Sequence, residues 1–584
     1  MERHFKMEKR ERKKGDPEEP ERRTYLKTAA ALVGGLAVGA AAGWLGKPPV
    51  EVPGPTTTVP GPTVTTTITK TPEVTTPTVA WWDEHMVRMD RLAPQWIMDW
   101  LHLEKGKYLI DEDYARTRID WDALKDKYKG KTLHWAVEST DIATPELYKP
   151  GFEKLLGVKF DVIGIPPEVL HEKLMAEFVA GTGAYDACEL FGNWTLTYAD
   201  YMLDMAPYFE KYDLSLEDLH PAFRFPFTLP GGGFLGLSMD ADLMVLTVRR
   251  NLLDDAGVDE IPRTWDDIKV ACEKLMDLKN KTGADWYPWC WPIVQKGYMT
   301  YLGWYEMLSL AFKDLEYIPI PGWEPDFVGD EKGGVEAIKI YKDLLQYCPP
   351  GAMNFGYGDF EESYLKGKVA MAVTPQCIGM KCHDIERSTI SPLVHPESVI
   401  EVYPPPIQTT TPTTFRSGGN AHATVYGISK DSKNPDLAFL CAIYQCSQEA
   451  SLVQTLCCTG NESGYTSVLY DPYVWTLNTS YKACAYIANH CWNDPFAQIP
   501  EAYTIGEACG VEIHKYLSGE EPDPEKALHN AENVAREILE IAGYFKSGAP
   551  ESVPFNTIDY CKKYGWTLPA LPPMDPYVYE GPFP

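Results

Sequence analysis

Apolar and polar positions recur with two different periods along this chain, and the order in which those periods follow one another predicts an α/β protein. Residues 131–137, 158–163 and 185–191 read as three short strands. Between them, 146–156 and 168–181 carry apolar residues at helical spacing, with Leu170, Leu174 and Phe178 along one face of the second. A βαβαβ succession of this kind predicts a parallel sheet covered by helices. Ligands of such sheets sit outside the carboxyl ends of the strands, so the loops after Val137 and after Leu190 are where a site is expected. Further on, 234–248 reads as extended and 265–278 as a helix with Thr264 as its N-cap. Residues 286–293 form an aromatic strand-like run, 298–312 and 334–347 are helical, and 369–374 and 423–429 are strands. Helices at 435–447, 502–517 and 524–542 follow, and the Pro- and Tyr-rich tail 544–584 is expected to wrap the surface. No internal repeat of fixed period is present.

Upstream of residue 131 the periodicity gives way to segments of biased composition. Residues 1–28 are basic and include Arg22-Arg23-Thr24-Tyr25-Leu26-Lys27, similar to a twin-arginine export signal, although Glu21 stands where Ser or Thr is usual. Residues 29–46 hold an uncharged Ala- and Gly-rich run, the pattern of a signal peptide or a membrane anchor. It is short for a ~30 Å hydrocarbon core, so both cleavage and retention are open. Residues 47–79 are almost all Thr, Pro, Val and Gly, an extended stalk with too little apolar mass for a core. A stalk serves a tethered protein better than a released one, which favours a retained anchor. Residues 80–130 are aromatic and acidic, and predict a helical extension between stalk and domain.

Charge narrows the partners. Residues 1–47 carry 11 basic and 7 acidic groups, and the remainder carries 43 and 76, a net of −33. Such a field repels nucleic acid, so none is expected as a partner, while the membrane is expected to be met through the N-terminal segment. Fourteen cysteines are compatible with disulfides in an oxidising compartment. No C-x-x-C pair, H-E-x-x-H, G-x-S-x-G or P-loop is present, and neither a metal nor a cofactor is expected.

Several motifs then fall in a recognisable order. Tyr185-Asp186-Ala187 leads through an apolar strand to Gly192-Asn193-Trp194. Gly236-Leu-Ser-Met-Asp-Ala-Asp242 runs into a second apolar stretch that ends Arg-Arg-Asn-Leu-Leu253. Pro262-Arg-Thr-Trp-Asp-Asp267, Tyr364-Leu-Lys-Gly-Lys-Val-Ala-Met371, Ser417-Gly-Gly419 with Tyr426-Gly-Ile-Ser429, Asn434-Pro-Asp-Leu-Ala438, and Leu517-Ser-Gly-Glu520 follow. In this order the chain resembles, over about residues 131–543, the extracellular solute-binding proteins of the sugar-binding group that serve ABC importers. The resemblance implies a two-lobed α/β fold of periplasmic-binding-protein type II, with crossing strands, hinge closure on a small polar solute, and permease subunits as partners. It places 131–243 and 360–418 in lobe 1, and 244–359 and 419–543 in lobe 2.

A sugar site needs planar hydrogen-bonding groups and an aromatic platform. Glu138 after the first strand, Asn193 and Trp194 after the third, and Asp240 and Asp242 on the crossing strand are the candidates from lobe 1. Trp289, Trp291 and Tyr298 are those of lobe 2. Gln376 stands where the family often has an aromatic, and Gly419, Asn420 and Tyr503 complete the set. Two other readings accommodate fewer of the motifs. One is a glycoside-acting enzyme with paired carboxylates, and the other is a surface protein that keeps the fold without the ligand.

Overall fold

The computed structural model describes residues 118–569 apart from 230–231, 292–299, 302, 305–321, 330–332, 393, 404, 407–420, 457–458, 472–473, 476–478, 492–493 and 552–556. The basic region, apolar run, stalk and most of the 80–130 extension lie outside these residues, as does nearly all of the expected 298–312 helix.

Strands β1 (Thr132–Glu138), β2 (Lys159–Ile165) and β3 (Ala187–Leu190) form a parallel set in the order β2-β1-β3. Consecutive residues Trp135, Ala136 and Val137 of β1 are all at 0% exposure. Burial on both faces is what a parallel strand between two helical layers requires. Those layers include the connecting helices Ala143–Leu156 and Pro167–Ala180. The second opens on proline, whose missing N–H is no loss in a first turn, and buries Leu170, Leu174 and Phe178.

Strand β4 (Leu237–Arg249) makes the crossing. β5 (Tyr287–Trp289) runs parallel to β6 (Val369–Pro375), while β6 and β7 (Ile400–Tyr403) pair antiparallel with the second half of β4. β8 (Ala421–Ile428) pairs antiparallel with the first half of β4 and with β3. The sheet therefore reads β2-β1-β3-β8-β4-β6-β5, with β7 beside β4. This pairing exchanges the expected allocation of the two return segments. β6 and β7, within 360–418, belong with the second half of β4, and β8, beyond 419, belongs with the first. The reason is that β4 itself carries the chain across, so β5, β6 and β7 pair with its second half or with each other before β8 returns to its first.

Helix Pro435–Cys446 then packs back on the first half, where Tyr444 meets Phe152 at 5.3 Å and Tyr148 at 6.2 Å between ring centroids. Trp121, on the short helix Trp121–Tyr128, adds an edge contact to Tyr444 at 5.8 Å. The end of the N-terminal extension thus joins the first lobe's core. Helix Trp265–Thr282 starts after Thr264, the N-cap the sequence predicts, and reciprocal bonds between Thr264 and Asp267 close its N-terminus. The tail contributes helix Thr557–Tyr564, whose Tyr560 packs on Phe225 at 4.2 Å, so part of it is built into the body.

No helix of the described residues is long and apolar enough to cross a membrane. The twelve described cysteines are all buried free thiols, and the expected disulfides do not occur among them.

Candidate functional site

The first half of β4 alternates Ser238, Asp240 and Asp242 with Met239, Ala241 and Leu243, and the apolar three are at 1%, 1% and 0% exposure. The ladder with β8 shifts register between Ser238 and Asp240, and beyond that irregularity the two-residue period brings Asp240 and Asp242 to one side, where β4 passes between the sheet halves. Asp240 Oδ1 accepts the backbone N–H groups of Ala241 at 2.8 Å and Glu462 at 2.7 Å, and Asp242 Oδ1 accepts that of Cys377 at 3.4 Å.

Both halves send further polar groups to this place. From the first, Glu138 ends β1, half-buried, and accepts the Thr140 hydroxyl at 2.7 Å. Its backbone N–H donates to Glu189 of β3 at 2.8 Å, and Asp141 follows in the next turn. From the second half come the residues after β6. Gln376, fully buried, donates to the Ala241 carbonyl at 3.4 Å and accepts the Cys484 thiol. Lys381, also fully buried, pairs with Glu361 at 2.7 Å and reaches Asp141 at 3.7 Å, while Arg387 holds the other Glu361 oxygen at 2.7 Å. The Lys381–Asp141 contact joins one half to the other. Gly460, at φ +95°, lets its loop lie over the lysine stem, because an added Cβ would overlap Lys381 Cε.

Burial dominates the electrostatics. It raises Glu138 to about 8, with Asp141 adding to the effect, and Asp240 to about 7, again with Asp141 behind it. Glu189, Asp242 and Glu462 stand well above the ordinary carboxylate range for the same first reason, reinforced by neighbouring carboxylates. Burial opposes the charge on Lys381, but Glu361 and its other anionic neighbours outweigh it and hold the lysine protonated. Carboxyls from three strands, two loops and a helix thus outnumber two cations. Such a place accepts hydrogen bonds from hydroxyls, or a positive charge.

A second cluster is aromatic. Trp194, 9% exposed, lies in the 3-10 turn Gly192–Tyr198 and meets Tyr503 edge-on at 5.0 Å and Phe191 at 4.6 Å. Tyr503 stacks on His171 at 3.5 Å, and burial lowers that histidine to about 3, so its ring is neutral. The turn sits tight against β8, since a Cβ on Gly192 would lie 2.6 Å from the Ala423 carbonyl oxygen.

The sequence candidates therefore separate into groups. Glu138, Asp240, Asp242 and Gln376 converge at the crossing, and Trp194 meets Tyr503. Trp289 and Trp291 do not line a site. They are at 0% and 1% exposure, 5.1 Å apart, with Trp291 5.0 Å from Tyr341 in the second half's core. The turn holds Asn193, whose side chain is outside the described residues, as are Tyr298, Gly419 and Asn420. The sequence reading misses Asp141, Glu189, Glu361, Lys381 and Glu462. Only Glu189 left a signal, a charge inside the apolar strand Ala-Cys-Glu-Leu.

The fold is shared with solved structures at low identity. A solute-binding protein of an ABC transporter from Agrobacterium radiobacter K84, in complex with ribitol, superposes with a TM-score of 0.60 at 20% identity, covering 70% of this chain and 99% of the other. One from Agrobacterium vitis S4 with bound D-mannitol gives 0.60 at 19% identity, covering 71% and 99%. Maltose-bound MalE3 of T. maritima gives 0.59 at 15%, covering 70% and 100%. In sequence, a putative binding protein of Brucella abortus (strain 2308) is 24% identical over 232 residues, 37% of this chain and 50% of the relative. The chain thus spans about half the length of the curated relatives it matches.

Two sheet halves joined by a crossing strand, with polar groups converging there, define a two-lobed α/β binding protein. The chain belongs to the bacterial extracellular solute-binding protein family, whose profile matches residues 137–442.

Proposed function

We propose that this chain is the extracellular substrate-binding component of an ABC importer, holding a sugar or polyol between its lobes and passing it to membrane permease subunits. The observation that carries the reading is the convergence of Glu138, Asp240, Asp242 and Gln376, drawn from both sheet halves, on one polar place at the crossing. Carboxyls and an amide in a largely buried setting are the groups that bind vicinal hydroxyls, and Trp194 with Tyr503 offers an aromatic edge near the end of β3. The ribitol- and mannitol-bound proteins that share the fold support a polyhydroxylated solute. In this reading the twin-arginine-like segment exports the protein, the apolar run anchors it, and the Thr/Pro stalk holds the lobes away from the membrane.

Calorimetric titration of the purified protein with a panel of polyols, monosaccharides and oligosaccharides tests the reading. Saturable heat without turnover is expected for at least one solute. It is lost in Trp194→Ala/Asp242→Ala, with circular dichroism unchanged. Silence across the panel from folded protein, or undiminished affinity in the double variant, would remove the proposal.

A further inference from the structure

Asp240 and Asp242 lie two positions apart on β4, and the loop after residue 458 brings Glu462 against them. One carboxylate oxygen from each of the three lies within 4.8 Å of the others. Glu462 is at 0% exposure, and no described amide, hydroxyl or ammonium group donates to its oxygens, whose side-chain partners are the carboxyls of Asp240 and Asp242. Three buried carboxyls partnered chiefly by one another are costly to keep ionised unless a cation joins them. The cations of the region do not relieve it, since Lys381 is engaged by Glu361 and Asp141, and Arg387 by Glu361. The backbone nevertheless fixes the arrangement, because the Glu462 N–H donates to Asp240 Oδ1 at 2.7 Å.

We propose that Asp240, Asp242 and Glu462 bind a divalent cation, calcium by the chemistry of the set, at the point where β4 crosses between the lobes. All three ligands are hard oxygens, with no imidazole or thiolate among them, which disfavours zinc and copper. Calcium takes oxygens at ~2.3–2.6 Å in a flexible geometry, so three oxygens lying within 4.8 Å of one another can share one ion without an ideal arrangement. Magnesium demands a tighter octahedron at ~2.0–2.1 Å. A cation held there ties the loop carrying Glu462 to the crossing strand, and its remaining coordination positions are open to oxygens of a solute. The site shares Asp240 and Asp242 with the solute reading and goes beyond it, and its test needs no solute.

The test uses the full chain, stripped with EDTA, exchanged into chelator-free buffer without any solute, and titrated with calcium chloride by calorimetry and thermal melting. One saturating equivalent and a raised Tm are expected. Glu462→Gln is expected to weaken the affinity about tenfold or more while leaving the circular dichroism of the chelated protein unchanged. Should Glu462→Gln fail to fold, Asp242→Asn, at a less buried position, is expected to show the same loss. No heat and no Tm change at millimolar calcium overturns the proposal, and the three carboxyls then share protons instead. Binding that survives in both variants overturns it equally. Because no solute is present, silence here beside preserved solute heat removes the cation alone, and cation binding beside a silent panel removes the solute reading alone.

Discussion

Lys381 is a charge with no access to water, kept ionised by the anions around it. Its ammonium meets Glu361 at 2.7 Å and Asp141 at 3.7 Å from a fully buried position. Removing one partner of a buried pair leaves the others uncompensated in a medium that solvates them poorly. Lys381→Met is therefore expected to cost about 3 kcal/mol or more in urea unfolding at neutral pH. Adding Glu361→Gln should return part of it. A cost below about 1 kcal/mol would mean that the pair behaves as an exposed one. Neither residue was legible in the sequence. Glu138 and Asp242 could be found because strand ends and crossing strands are places where ligands bind, whereas Lys381 and Glu462 sit in segments with no such rule. They meet only after β6 and the loop beyond residue 458 have been folded onto β4, a juxtaposition that no spacing along the chain records.

At the scale of elements, periodicity succeeded where one face is buried and failed where burial is complete. Helix Pro524–Ala542 has the bounds the sequence predicts, because its apolar stripe and its Asp523 and Gly543 ends agree. Helix Gln448–Leu456 escaped, since Gln448, Glu449, Ser451, Gln454 and Thr455 are all buried polar residues and leave no apolar stripe to read. The same limit hides what surrounds β5, although its strand character is legible. Alternation gave Trp289 and Trp291 a shared face but not its surroundings, which are Trp265 at 6.3 Å from each and Tyr341. Trp291→Ala is expected to lower stability by about 3–5 kcal/mol and to leave solute affinity of the folded protein unchanged. Paired denaturation and calorimetry decide it. Lost affinity with stability intact would return β5 to the binding surface.

Across the whole molecule, the two lobes meet through groups that titrate. Glu138 ends β1 in the first half and faces Asp141, Lys381 and Glu361, the last two from the second half, with Thr140 and Glu189 beside it. Burial, then Asp141, raises its carboxyl from 4.5 to about 8, while Lys381 and the Thr140 bond pull the other way without prevailing. A carboxyl whose folded value lies above its unfolded one binds its proton more tightly in the native state. Its contribution to stability is then full below the unfolded value and is lost as pH rises through about 8. Solute-free protein in chelator is accordingly expected to melt at a lower temperature at pH 8 than at pH 5. Glu138→Gln, which cannot ionise, should show a clearly smaller fall over the same window. Melting curves at half-unit pH steps for both proteins measure it. The difference between the two slopes isolates Glu138 from the other buried carboxyls, which titrate in both. Parallel slopes would mean that Glu138 keeps an ordinary carboxylate value and that the end of β1 is open to water, with the lobes apart at that point.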